Sequence, residues 1–131
     1  TREHILKAVK FANNNKGEVY SNIETGIRVT EKQMTNAISR YAKGASISEV
    51  VAFLDATLFS SGKSGFLVTR RALYSSYNPD LEPLFYSEIQ SLELTDTSHI
   101  NIFFKNSPPK NIYFSIYATI IFNLLKMITG C

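Results

Sequence analysis

"DATLFSSGKSGFLVTRRALYSSY" covers residues 55–77, and its reading decides the fold. Gly62-Lys63-Ser64 has the closing letters of a phosphate-binding loop. Such a loop needs another glycine five positions before its second one, so that backbone N–H groups can wrap a phosphate, and here that position is Thr57. It must also follow a strand and open a helix, whose N-terminus holds the anion. Gly65-Phe66-Leu67-Val68 instead opens a β-branched and aromatic run. Gly62 and Gly65 therefore read as a bend with Lys63-Ser64 at its polar tip. "GFLVT" and "ALYSSY", separated by Arg70-Arg71, read as a hairpin with a tight turn.

Strand patterns continue downstream. Asn78-Pro79-Asp80 is a turn, and "LEPLFYSEIQSLEL" holds further strand candidates. In "HINIFFK", Ile100, Ile102 and Phe104 alternate with Asn101 and Phe103, the period of a half-buried strand. Pro108 and Pro109 keep "NSPPKN" out of any ladder, and "IYF" reads as a last short strand. A helix from about Ser115 to Ile128 then closes the chain. Ile116, Tyr117, Ile120, Ile121, Leu124, Leu125 and Ile128 form its apolar stripe, which Phe122 widens. That segment holds Ser115, Asn123 and Lys126 and is too short for a comfortable membrane span.

Upstream, the pattern is helical. Ile5, Leu6, Val9 and Ala12 share one face, and Asn13 to Gly17 ends that helix. "EVYSNIETGIRV" reads as loop or short irregular strand. Thr30 with Gln33 and Ser46 with Glu49 fit two capping boxes. Met34, Ala37, Ile38 and Tyr41 make the first buried stripe, stopped at Gly44. Val50, Val51, Phe53 and Leu54 make the second. The expected architecture is α+β: three short helices over residues 1–55, then an antiparallel sheet or partly open barrel over residues 56–131, capped by the C-terminal helix, all as one compact domain.

Composition narrows the function. The 131 residues are 44% hydrophobic and 19% charged, with nine Phe and seven Tyr, which is the balance of a folded domain. The formal charge is +3, with the excess in the first half and no dense basic run, so nucleic acid is not an expected partner. Cys131 is the one cysteine, which rules out a disulfide framework and fits a reducing, cytoplasmic compartment. Residues 1–15 are charged and amphipathic and do not read as a signal peptide. The chain opens at Thr1 rather than methionine, as either a piece of a longer protein or a trimmed chain would.

No catalytic constellation assembles from the sequence. His4 and His99 are far apart, Cys131 has no histidine beside it, and Glu82 and Glu88 lack an acid/base frame. Asp55 reads as a residue that caps or braces the turn over residues 60–65. Neither a cofactor nor a metal is expected.

The order of apolar and turn positions resembles the bacterial pleckstrin-homology-like and GRAM-like domains. Thr69, Leu73 and Tyr74 match the first hairpin of that family, and Tyr86, Ile89 and Leu92 match its next element. The similarity covers roughly residues 55–128, and the three N-terminal helices stand outside it. The resemblance implies a sheet sandwich plugged at one corner by the C-terminal helix, used as a non-enzymatic adaptor that binds a protein or lipid.

Two readings follow. In the first, the excess of apolar helix surface is covered by a protein partner or a second copy, with Tyr117, Ile121, Phe122 and Leu125 as candidate interface residues. In the alternative, Lys63, Arg70 and Arg71 hold the phosphate of an anionic membrane headgroup. A third option, an enzyme using Asp55, Tyr86 and His99, has no motif behind it.

Overall fold

A computed structural model describes residues 2–12, 18–21, 31–55, 65–77 and 82–131. The order of elements is α1 (Arg2–Ala12), β1 (Glu18–Ser21), α2 (Glu31–Arg40), β2 (Val50–Asp55), β3 (Gly65–Thr69), β4 (Ala72–Ser75), β5 (Leu84–Phe85), β6 (Ile89–Leu94), β7 (His99–Phe104), β8 (Lys110–Tyr113) and α3 (Ala118–Thr129). Single 3-10 turns at Ile47–Glu49, Tyr86–Glu88 and Ser115–Tyr117 lead into β2, β6 and α3. The fold is α+β.

Strands β1 to β5 form one antiparallel sheet in sequence order, and β6 to β8 form a second. Neither sheet closes into a barrel. The inner core lies between them: Phe66, Val68, Leu73 and Leu84 from the first sheet meet Ile89, Ile100, Ile102 and Ile112 from the second. Helix α3 closes one side of this layer with Ala118, Ile120, Ile121, Leu124 and Leu125, and α1 packs along it with Ile5, Leu6 and Ala8. A smaller cluster covers the other face of the five-stranded sheet. There Ala37, Tyr41 and Ala42 lie over Val50, Phe53, Leu67, Ala72 and Tyr74.

That double cover explains the largest departure from the sequence reading. Residues 46–55 are not a helix but one 3-10 turn followed by strand β2. A strand buried on both faces carries a continuous apolar run, and over so few residues such a run has no period that separates it from a helix. In β2, Val51 and Ala52 face the inner core while Val50 and Phe53 face the smaller cluster. A register shift between Val50 and Ala52 allows this break in alternation. The supposed Ser46–Glu49 capping box is not made either. The Ser46 hydroxyl pairs with that of Ser48 at 2.9 Å, and the Glu49 carboxylate turns to Arg71.

Because β2 pairs with β3, the five-stranded sheet spans the division expected at residue 55. Among its described residues, the segment before that division supplies strands β1 and β2 and helices α1 and α2, and the third expected helix is β2. "EVYS" forms β1, Gly44 ends the α2 region with φ +92°, and Gly130 caps α3 with φ +73°. The capping expected of Thr30 and the bend at Gly62-Lys63-Ser64 lie outside the described residues. Gly65 does open a strand rather than a helix, as the hairpin reading required.

Candidate functional site

Two exposed corners carry the residues that the sequence offers for binding. The first is the β3–β4 turn. Arg70 and Arg71 form its two-residue tip, between strands whose register pairs Val68 with Leu73. No residue of the tip has positive φ, so the turn does not take the primed form that hairpins favour. Thr69 stabilises it instead: its hydroxyl donates to the Ala72 carbonyl at 3.0 Å and accepts from the N–H groups of Ala72 and Arg71 at 3.1 and 3.3 Å.

Neighbouring elements take up what remains. The Arg70 N–H donates to the Glu49 carbonyl, and the Tyr86 N–H donates to the Arg71 carbonyl, both at 3.0 Å. The Arg71 guanidinium meets the Glu49 carboxylate in a two-pronged pair, Nε to Oε2 at 3.0 Å and Nη2 to Oε1 at 3.1 Å. Beneath the tip, the Tyr86 hydroxyl donates between the Thr69 and Ala72 carbonyl oxygens, 2.9 Å from each. Burial, and secondarily the proximity of Tyr74, pushes the Tyr86 hydroxyl well above the ordinary tyrosine value. Of the candidate anion ligands, then, Arg71 is paired, Arg70 is exposed at the tip, and Lys63 lies outside the described residues.

The second corner joins β8 to α3. Phe66 of β3 and Phe114 are fully buried with ring centres 6.0 Å apart. Tyr77 and Tyr117 sit half-buried above Phe66, at 5.6 and 5.7 Å. Tyr113 extends this stack into solvent, with its ring 6.0 Å from Tyr77 and 5.4 Å from His99. It is 47% exposed, and Ile116, three residues on, is 65% exposed. Between them Ser115 adopts φ +56°, a left-handed conformation uncommon outside glycine. The turn it starts rotates Ile116 out of the stripe that continues as α3.

Of the four expected interface residues, Ile121 and Leu125 are enclosed by this chain's own α1 and sheets. Tyr117 belongs to the aromatic stack, and half-buried Phe122 lies under the Lys126 ammonium, 5.3 Å from its ring centre. The stripe on α3 is thus core. Sequence reasoning missed Tyr113 and Ile116 as surface residues. Strand alternation from buried Ile112 points Tyr113 outward, but the phase of Ile116 depends on the backbone at Ser115.

The remaining candidates do not converge. Asp55 ends β2, opposite Gly65, and His4 lies on α1. His99 starts β7, where its Nδ1 lies 3.0 Å from Asp96 Oδ1. The Ser98 N–H first, and the His99 side chain second, hold the Asp96 carboxyl below the usual carboxylate range. Glu82 pairs with Lys110 at 3.1 Å. Among the described residues, no group of three or more His, Cys, Asp or Glu is placed to hold a metal ion. No helix among them is long and apolar enough to cross a membrane. No family model, curated protein or solved structure matches the chain.

Proposed function

We propose that this chain is a non-enzymatic interaction domain that docks a protein through the Tyr113–Ile116 corner, in the manner of the PH-like adaptors its hairpin resembles. One observation carries the reading: among the described residues the most exposed large apolar side chain, Ile116, follows exposed Tyr113 by three positions, on an aromatic stack whose inner rings, Phe66 and Phe114, are buried. Rigid aromatic and aliphatic anchors lose little conformational entropy on contact and dominate protein interfaces. The strained Ser115 backbone supports it too, since such conformations concentrate where function requires them.

The headgroup-binding alternative gains less. Arg71 already has a carboxylate partner, so an anion there competes with Glu49.

The test places a photo-crosslinking phenylalanine analogue at Ile116 of the full chain in cells, with Ser107 as an exposed control. Discrete adducts at residue 116 that are missing at 107 are expected. Equal, diffuse labelling at both positions overturns the reading.

A further inference from the structure

The hairpin turns of this fold differ in how firmly they are tied. Thr69, Tyr86 and Glu49 hold the β3–β4 tip. Asp96 holds the turn between β6 and β7, where its Oδ1 accepts the N–H groups of Ser98 and His99 at 2.7 and 2.8 Å. The loop between β7 and β8 has nothing comparable. The pairing of β7 with β8 stops where Ile102 faces Lys110, and the Lys105 N–H donates to the Glu88 carbonyl at 3.0 Å. Among the described residues, Asn106, Ser107, Pro108 and Pro109 then make no hydrogen bond, and every residue from Lys105 to Asn111 is exposed.

The sequence supplies the cause. Proline has no N–H to donate, and it turns the residue before it away from helical backbone. The Ser107 hydroxyl, unlike that of Thr69, braces no turn.

The stretch reads Ser107-Pro108-Pro109-Lys110, and each position suits a protein kinase substrate. A kinase cleft receives its substrate as an extended segment, and residues that are exposed and unbonded can enter it without breaking structure. Proline directly after the serine sets no N–H against the kinase, where a donor would go unpaired. A cation three positions after the serine suits an acidic group beside the cleft. Lys110 supplies it, from a pair with Glu82 that is exposed at both ends and therefore weak. The chain has four prolines, and only Pro108 follows a serine or threonine.

We propose that Ser107 is a phosphorylation site for a proline-directed protein kinase, with ATP as the phosphoryl donor. The Ser107 Oγ attacks the γ-phosphorus in line. The new Oγ–P bond forms as the bond from that phosphorus to its bridging oxygen breaks, ADP leaves, and the hydroxyl proton passes to the kinase's catalytic aspartate. The product places a charge of about −1.5 to −2 between Lys105 and Lys110, on a loop with no buried residue, so the fold keeps its core unchanged. The site is separate from the Tyr113–Ile116 corner. A crosslinking analogue at position 107 removes the hydroxyl, so that position still serves as the control there.

The test incubates the folded full chain with ATP and a purified cyclin-dependent kinase, whose specificity is proline-directed, and locates phosphate by fragmentation mass spectrometry. One phosphate is expected, on Ser107, and none on Ser107→Ala. Pro108→Ala should lower kcat/KM by about tenfold or more, and Lys110→Ala by less. A peptide of residues 103–113 gives the rate for an unfolded loop, and the folded chain should reach at least about a tenth of it. The phosphorylated chain should keep its circular dichroism and urea midpoint. Chain isolated from its own cells with phosphatases inhibited should also carry phosphate on Ser107. Absence of that phosphate from either preparation overturns the inference, as does a folded chain slower than the stated fraction of the peptide rate. Adducts at residue 116 are expected from Ser107→Ala as from wild type, so either claim can fail while the other stands.

Discussion

The β3–β4 tip and the β8–α3 corner look alike in one respect: each is an exposed bend holding residues suited to binding. Their bookkeeping of interactions is opposite. At the tip, Glu49 takes the Arg71 guanidinium and the Arg70 N–H, while Thr69 and Tyr86 take the turn's own polar groups. At the corner the inner rings are buried, but Tyr113 and Ile116 remain in solvent. Charge in a sequence invites a ligand; at this tip it pins the β3–β4 turn to the segment that leads into β2. Apolar surface left uncovered after folding is the better pointer to a partner.

The largest expected effect that tests this contrast is at Tyr86. Tyr86→Phe removes the hydroxyl and leaves the Thr69 carbonyl short of a donor in a half-buried site. That should cost about 1–3 kcal/mol in urea denaturation. The effect also carries a pH signature. Burial raises the folded hydroxyl above the value near 10 at which an unfolded tyrosine ionises, so the folded state keeps this proton longer. The contribution is complete below about pH 10 and is lost as pH rises above it. The gap between wild type and Tyr86→Phe should therefore narrow in that range. A gap that widens instead would mean that the hydroxyl is not buried beneath the tip.

The next effect is smaller. Arg71→Ala breaks a two-pronged pair whose arginine side chain is 71% exposed, so solvent screening limits the loss to about 0.2–1 kcal/mol. A double-mutant cycle with Glu49→Gln should return a coupling in that range that shrinks in molar salt. Coupling that ignores salt would show that the pair is not the surface latch seen here.

How far the sequence could have reached this contrast depends on which signals are local. The Arg70-Arg71 hairpin, the alternation of Ile100 and Ile102, and the α3 stripe were legible because each pattern is set by the residue's own neighbours. Strand β2 was not, because Val50 to Leu54 has no period until both of its faces are known to be covered. Glu49 read as a capping residue for the same reason: its partner Arg71 is distant in sequence. Ile121 and Leu125 looked available because nothing near them in the chain says that α1 returns to cover their helix. The corner was the least legible of all. Its exposure turns on one positive φ at Ser115, a residue type that gives no warning of it.

The smallest expected change in stability belongs to Ile116, and it sharpens the comparison most. Ile116→Ser removes a side chain that is already 65% exposed, so little burial is lost and the urea midpoint should stay within about 0.5 kcal/mol of wild type. The same substitution should abolish adducts formed by a photo-crosslinker placed at Tyr113. Thr69→Val at the tip should do the reverse, weakening the fold while leaving those adducts intact, because its hydroxyl serves only the turn. The two positions thereby separate a group that folding consumes from one that it leaves over. If Ile116→Ser proves as destabilising as a core truncation, the side chain is packed rather than presented, and the corner loses its claim to be a docking surface.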